Sequence, residues 1–341
     1  MKKILILADK EDAHARIVSR ALEMKGAQGI RWDPGEFLLK QKINLFLKPV
    51  SSIEIYTKEG SINLNEIDVV WFRRPRLPTL PNSIHPDDEK FIKEESISFM
   101  RALWSFMCES AVWINPFSSY HMANSKLVHL RLALELGFII PNTLVSNDKN
   151  RILDFLAKNK CTGVIYKTFM PFSWQEEEGV FSSQTAIVSA DFLPEQEVLQ
   201  MTPGIYQSLV LKAYEIRATF FNDCCIAVRI ENHSEIDWRS LHFKGKIPIG
   251  EIKLPNLIYD KCIQLMKKLG ISFGCFDFIV TPAGEYIFLE VNEMGQFLWI
   301  EELLPELKLL NTFCDFVLTM GNRGSNCQYE PSLKLSNILD R

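Results

Sequence analysis

The residues Gly274-Cys275-Phe276-Asp277-Phe278-Ile279-Val280-Thr281-Pro282-Ala283-Gly284-Glu285-Tyr286-Ile287-Phe288-Leu289-Glu290-Val291-Asn292 constrain this chain more than any other stretch. Two β-forming runs flank Pro282-Ala283-Gly284-Glu285, which reads as a four-residue hairpin loop. With Thr281 paired to Tyr286, Ile279 faces Phe288 and Asp277 faces Glu290. Opposed side chains share one face of a hairpin, with Cβ atoms roughly 5 Å apart. Asn292, two residues beyond Glu290, points to the same face. Opposed carboxylates in an apolar hairpin repel each other unless something positive lies between them. Two carboxylates and an amide oxygen are hard donors suited to Mg²⁺, which commonly shares its shell with nucleotide phosphates. The rival reading, a solvent-washed acidic edge, fits poorly with the apolar residues on both sides.

A chain of 341 residues is longer than one core usually serves, so two or three packed lobes are expected. Hydrophobic residues at 47% and charged residues at 23% place it among folded globular proteins. The net charge is −4 and no Lys/Arg block stands out, which argues against nucleic acid as a partner. Any bound anion must therefore be held by a few placed cations. The eight cysteines are irregularly spaced with no CxxC pair, so neither a zinc knuckle nor a redox loop is predicted. The start, Met1 to Asp9, is too short and too soon charged for a signal peptide. Nowhere do ~18 apolar residues run uninterrupted, so no membrane span is expected. These features together predict a reduced, cytoplasmic protein.

Ile4 to Ala8 reads as a buried strand, Ala13 to Lys25 as a helix ending near Gly26, and Ile30 to Trp32 as a strand. With Val69 to Phe72 as a further strand, this opening predicts a small α/β lobe. Ile43 to Tyr56 alternates enough to be extended. A long helix starts near Asp87, where three acidic residues suit its N-terminal end, with Phe91, Phe99, Leu103, Trp104 and Met107 as apolar positions. Asn115-Pro116 ends this first lobe, residues 1–115. A second helix opens near Ser125 and carries Leu127, Leu130, Leu134 and Leu136 before Gly137. A strand (Ile139 to Val145), a helix (Asp148 to Lys158), a strand (Val164 to Thr168) and an acidic turn (Gln175 to Gly179) complete a central lobe, residues 116–206. Residues 207–321 form a mainly stranded lobe, with a hairpin turning at Asn222-Asp223, a polar loop from Glu231 to Lys246 and a helix from Leu257 to Leu269. Residues 322–341 read as a polar, disordered tail.

Asp at the end of one strand followed by Glu-x-Asn on its antiparallel neighbour resembles the metal-binding signature of ATP-grasp ligases. The continuation Glu290 to Trp299 is similar to the ligases that mature graspetides, the microviridin-type ribosomal peptides with side-chain ester or amide links. The likeness runs from Ile4 to about Met320. It rests further on Val70 to Arg76, Asn124-Ser125-Lys126, Tyr214 to Arg217, and Asp237-Trp238-Arg239.

The resemblance implies an ATP-grasp α/β fold with an N-terminal pre-ATP-grasp lobe and ATP held between sheets of the central and C-terminal lobes. It implies that Lys126 and Lys167 contact phosphate, and that Gln207, Leu209 and Val210 lie at the adenine hinge, where Ser208 departs from the acidic residue of many relatives. Metal binding falls to Asp277, Glu290 and Asn292. Arg217 would hold the γ-phosphate and the developing acyl phosphate, oriented by Glu215 on the same strand face, and Arg239 would add a second positive contact. Arg73 and Arg74 lie at a lobe edge where a substrate carboxylate could enter, although packing is the stronger reading. His121, His129, His233 and His242 are scattered and read as surface or packing groups. No Gly-x-x-x-x-Gly-Lys-Ser/Thr occurs, so a P-loop is excluded.

The implied activity uses ATP and Mg²⁺ to phosphorylate Asp or Glu side chains of a precursor peptide and joins them to Thr/Ser hydroxyls or Lys amines. The leader would be gripped by the central lobe. A ligase adding free amino acids to a peptide or small acid is the enzyme rival, and a non-catalytic ATP-binding regulator is the rival of another class. The oligomeric state, a homodimer included, stays open.

Overall fold

The computed structural model describes every residue except 49–51, 171, 177–178, 183–184, 233–235, 237, 239–247, 321–331 and 340–341. Eighteen strands can be followed along these residues: β1 (Lys3–Ala8), β2 (Gln28–Trp32), β3 (Lys42–Phe46), β4 (Ser52–Thr57), β5 (Gly60–Asn63), β6 (Val69–Arg74), β7 (Val112–Ile114), β8 (Thr143–Ser146) and β9 (Val164–Lys167). They continue with β10 (Ser173–Glu176), β11 (Gly179–Ser182), β12 (Ala186–Val188), β13 (Gly204–Ser208), β14 (Tyr214–Phe221), β15 (Cys224–Ile230), β16 (Ile249–Ile252), β17 (Phe273–Val280) and β18 (Tyr286–Asn292).

The first sheet has the order β2-β1-β6-β7 and is parallel throughout. Its central strands β1 and β6 are apolar runs because such sheets bury both faces. One face packs on the Ala13–Met24 helix and the other on the Pro86–Phe106 helix, by way of Val18 and Leu22 on one side and Met100 and Leu103 on the other. Phe91, expected among the buried positions of the long helix, is 67% exposed, because the packed stripe begins at Ser96. The extended stretch from Ile43 to Tyr56 is two strands of a separate antiparallel sheet, β3-β4-β5.

A second antiparallel sheet, β12-β9-β13-β8, packs Val164 and Tyr206 against Ile152 of the Lys149–Lys158 helix and Leu199 of the Gln196–Met201 helix. Lys167 and Gln207 lie on its opposite face, since each is an odd number of residues from that packed set. Of the acidic stretch expected as a turn, Gln175, Glu176 and Gly179 lie in the antiparallel pair β10-β11, and Glu177 and Glu178 fall outside the described residues.

The five-stranded antiparallel sheet β16-β15-β14-β17-β18 positions the candidate site. Its strands β14 and β17 alternate strictly, and a bulge in β18 moves Glu290 and Asn292 to the face opposite Phe288. Ile216, Ala218, Phe220, Phe276, Phe278 and Phe288 point to one face and pack against the Lys126–Glu135 and Asn256–Leu269 helices. Glu215, Arg217, Thr219, Cys275, Asp277, Glu290 and Asn292 therefore all fall on the other face. The Lys126–Glu135 helix buries His129, Leu130, Leu132 and Ala133, whereas Leu127 and Leu134 are 38% and 57% exposed. Helical spacing groups the leucines at 127, 130 and 134 on one apolar side; the stripe that packs is rotated from theirs.

The residues expected as a polar tail are corrected in part. Leu333, Leu335 and Ile338 are buried against the core that includes Ala15, Val18 and Leu310. The backbone N–H groups of Leu333 and Leu335 donate to Asn311 Oδ1 at 2.9 Å and Glu301 Oε1 at 2.7 Å. Three apolar side chains in a short segment suffice to dock it once an open groove exists.

Candidate active site

Arg217 on β14 stands directly opposite Asp277 on β17, which in turn stands opposite Glu290 on β18. The hairpin reaches that last pairing by an unexpected route. Val280 pairs with Tyr286 and Phe278 with Phe288, one residue out of the expected register, and a bulge at Leu289 restores Asp277 to Glu290. A bulge adds one residue to one strand and re-aims the side chains beyond it.

The positive charge that two opposed carboxylates require comes from the chain itself. Arg217 Nη1 donates to both carboxylate oxygens of Asp277, at 2.9 and 2.8 Å. Both residues are buried, 2% and 6% exposed. Burial is the largest influence on Arg217 and opposes its charge, but the Asp277 carboxylate together with Cys275 and Glu290 raises the pKa above the ordinary arginine range. Glu215 does not orient Arg217, contrary to expectation. It accepts instead from Lys212 Nζ at 2.7 Å and Asn232 Nδ2 at 2.6 Å. Geometry explains the choice: a residue two along a strand is roughly 7 Å away, and one directly across is roughly 5 Å away. Burial pushes the Glu215 carboxyl up, and Lys212 and Asn232 pull it back.

Asp277, Glu290 and Arg217 sum to one negative charge on a face where Glu290 is half-buried, which suits a divalent cation that also draws oxygen ligands from phosphates. Among the described residues no three His, Cys, Asp or Glu side chains gather as a metal site; this face carries two carboxylates, Asp277 and Glu290, and the Asn292 amide. The Asn292 amide oxygen accepts from the N–H groups of Met294 at 3.2 Å and Gly295 at 2.9 Å. A carbonyl oxygen has two lone pairs, and these two N–H groups occupy both on Asn292.

Lys126 opens its helix behind the N-cap Ser125, and its ammonium donates to the Thr168 carbonyl, 2.6 Å away, just past β9. That bond ties the start of this helix to the strand that ends in Lys167. The same helix lies along β18, so that His129 is acted on by both Glu290 and Lys126 in addition to its burial, which lowers its pKa. His129 Nε2 contacts the Ala123 carbonyl at 2.7 Å, a packing role as expected. Gln207 is 2% exposed and donates to Thr143 Oγ1 at 3.0 Å. At the hinge, the Leu209 N–H is already given to the Gly163 carbonyl at 2.9 Å, and Val210 follows β13 in irregular backbone.

Arg239 and Asp237 fall outside the described residues, whereas Trp238 is buried and stacks on Trp299 with centroids 4.6 Å apart. Arg73 is fully buried and donates to the carbonyls of Met294 and Gly295, the latter at 2.6 Å, so it packs rather than receives a substrate; Arg74 is exposed. Two residues that sequence reasoning passes over tie the first sheet to this site. Asn115 donates to the Phe273 and Glu293 carbonyls at 2.8 and 2.9 Å and accepts from Ser272 and Phe273 N–H at 2.9 and 3.0 Å. His14 Nε2 accepts from the N–H groups of Phe297 and Leu298, both at 3.3 Å. Asn115 carries a usable signal, an amide in an otherwise apolar connection, but in sequence it reads only as a break before Pro116.

An antiparallel sheet with Arg-Asp-Glu on its open face, a smaller antiparallel sheet with a lysine at a strand end, and a parallel sheet ahead of both form the architecture of the ATP-grasp ligases. In fold and in the residues of this face the chain is similar to the ATP-grasp ligases, and its likeness is to ligases solved with ribosomal precursor peptides. The family described as the MvdD pre-ATP grasp domain matches residues 3–121. The macrocyclase MdnC of Microcystis aeruginosa MRC, solved with precursor peptide MdnA, is 25% identical at a TM-score of 0.83, covering 93% of this chain and 99% of that one. The macrocyclase MdnB of the same organism is 29% identical at a TM-score of 0.79, with the same coverage of 93% and 99%. A RiPP-associated ATP-grasp ligase of Chryseobacterium gregarium, solved with ADP and a leader and core peptide, shares the fold at 24% identity and a TM-score of 0.85, over 98% of this chain and 100% of that one. No curated protein matches the chain. No described helix is long and apolar enough to cross a membrane.

Proposed function

We propose that this chain is an ADP-forming ligase that phosphorylates Asp or Glu side chains of a ribosomal precursor peptide and joins them to Thr/Ser hydroxyls or Lys amines as macrocyclic esters or amides. The observation that carries the reading is the Arg217-Asp277-Glu290 row, its first two members buried, in a chain whose fold matches MdnC nearly end to end.

A carboxylate is a poor electrophile because its leaving group would be oxide. Transfer of the γ-phosphoryl of ATP to the side-chain oxygen makes that oxygen part of a phosphate, which leaves readily when a hydroxyl or amine attacks. Arg217, held by Asp277, presents a fixed guanidinium to the transferring group, so little reorganisation accompanies the movement of charge. Asp277 and Glu290 would hold Mg²⁺, with Asn292 joining them, and the ion supplies neutralisation of phosphate charge. Lys126 and Lys167 contact the phosphates as point charges. Gln207, Leu209 and Val210 flank the adenine, with the Leu209 N–H excluded because Gly163 holds it. Arg239 adds a second cation. The precursor is held by leader as well as core, so that binding energy from a remote segment positions a weakly bound reacting side chain.

Nucleotide products test the reaction type. Incubation with Mg²⁺, ATP and a substrate peptide is expected to release ADP and phosphate in step with ligation. Release of AMP and pyrophosphate would mean adenylation and overturn the reading.

A further inference from the structure

We infer that Arg73 and His14, both in the N-terminal part of the chain, are positioning residues for Arg217, acting through the backbone of residues 294–298. The inference rests on the proposed role of Arg217 in phosphoryl transfer.

The polar backbone groups of this loop are claimed almost one by one. Asn292 Oδ1 takes the N–H groups of Met294 and Gly295. Arg73 Nη1 donates to the carbonyls of the same two residues, and Asp12 Oδ2 lies 3.4 Å from Arg73 Nε. His14 Nε2 takes the N–H groups of Phe297 and Leu298. Between these two clamps sits the Gln296 carbonyl, which accepts from Trp299 Nε1 at 3.2 Å and faces Arg217 Nη2 at 3.5 Å. Arg217 is thus located at one nitrogen by Asp277 and at the other by a carbonyl whose neighbours on both sides are held by the first domain's side chains. Gly295 leaves the loop no slack: at φ +38° a Cβ there would lie 2.7 Å from Phe273 Cζ and 2.8 Å from Cys275 Sγ.

The placement follows from topology. In the order β2-β1-β6-β7 the chain leaves β1 toward β2 on one side and leaves β6 toward β7 on the other, so the strand order reverses between β1 and β6. Open parallel sheets take ligands in the crevice at the carboxyl ends of such strands. Here Arg73 near the end of β6 and His14 at the start of the helix after β1 flank that crevice, and they hold the chain's own loop instead. The first sheet therefore sets the active-site arginine without contacting a substrate.

Arg73→Met, Arg73→Lys and His14→Gln test this, with circular dichroism confirming the fold. His14→Gln sits at the half-buried end of the cluster and keeps the test available if Arg73→Met does not fold. With kcat for ligation measured at saturating peptide, a loss on the order of 10- to 100-fold is expected, because small misplacement of a catalytic group costs that much. KM for ATP should be unchanged, and Arg73→Lys should recover part of kcat because an ammonium still reaches one carbonyl. A folded variant with wild-type kcat, or a parallel loss of kcat and ATP affinity, would overturn the inference. The side-chain ¹⁵Nε resonance of Arg217, assigned by its loss in Arg217→Lys, reads the same question without any peptide. It should shift in Arg73→Lys and His14→Gln even if no ligation substrate is found, and an unmoved resonance would contradict the positioning role whatever reaction the enzyme performs.

Discussion

Asp277 and Glu290 look equivalent in sequence, two carboxylates on one hairpin face, yet their surroundings separate them. Asp277 is the buried partner of Arg217, so Asp277→Asn removes half of an ion pair and leaves a buried cation less well met. Breaking a buried pair in this way costs about 3–5 kcal/mol, and the neutral amide, which keeps one acceptor oxygen, places this change near the lower end. Glu290→Gln relieves repulsion with Asp277 and leaves the Arg217 pair whole. Both variants should lose ligation at least on the order of 100-fold, as expected when a group acting in phosphoryl transfer is removed. Thermal unfolding should fall by several degrees for Asp277→Asn and stay near wild type for Glu290→Gln. Equal stability of the two variants would refute the Arg217-Asp277 pair as a structural bond. This distinction could not be read from the residues alone, because two carboxylates announce a need for positive charge without saying which arginine supplies it. Glu215 had the better local claim on Arg217; cross-strand distance decided otherwise.

At the scale of elements, the alternation of Tyr214 to Phe221 and of Phe273 to Val280 made the open, polar face of the main sheet legible, and the Asp277 to Glu290 pairing with it. The bulge at Leu289 was not legible. A period of two tells which face a residue takes, and an extra residue leaves the same apolar composition on both sides of it. The Lys126–Glu135 helix shows the same limit, since leucines at 127 and 134 satisfy helical spacing while the neighbouring stripe is the one that meets Phe138 and the sheet. The loop after β18 allows two sharper tests. Gly295→Ala should cost about 1–3 kcal/mol through the clash with Phe273 and Cys275 and the positive φ, and reduced activity should accompany it. Unchanged unfolding in urea would show that the loop yields easily. His14 gives the loop a pH dependence. Burial, with Arg73 and Arg74 nearby and Asp12 opposing them, lowers its pKa from 6.5 to about 3. Above pH 6.5 the ring is neutral in both folded and unfolded chains; below it the unfolded chain takes up a proton that the folded one refuses. Stability from this group is therefore present above the unfolded pKa and lost as pH falls toward the folded one, with a slope of up to about 1.4 kcal/mol per pH unit. Unfolding curves between pH 7 and pH 4 should show that slope in the wild type and lose it in His14→Gln. The same slope in both would remove His14 from the account.

For the molecule as a whole, the sequence indicated an α/β lobe ahead of a sheet-rich remainder, and the ATP-grasp fold found here agrees with that reading. What stayed hidden was how the parts are tied. Lys25 reaches Asp315, Lys2 reaches the carbonyls of Leu318 and Met320, Asn115 holds β17 and the loop after β18, and the segment around Leu335 docks on the first helix. Each tie joins residues far apart in the chain, and no local pattern announces such contacts. Short apolar segments following a polar stretch, as from Leu333 to Ile338, carry too little periodicity to separate a docked end from a free one. These ties join the first sheet to the elements around the Arg217-Asp277-Glu290 row, and the proposed intramolecular ligation would draw on such a frame to position two side chains of one flexible peptide. The central claim is that the chain closes such links without adding a building block. Mass spectrometry of a precursor peptide encoded beside it, with Mg²⁺ and ATP and with its leader present or removed, tests this most directly. The peptide should lose one water per link, and the loss should depend on the leader. A gain in mass matching added amino acids, or no change in any neighbouring peptide alongside tight ATP binding, would contradict it.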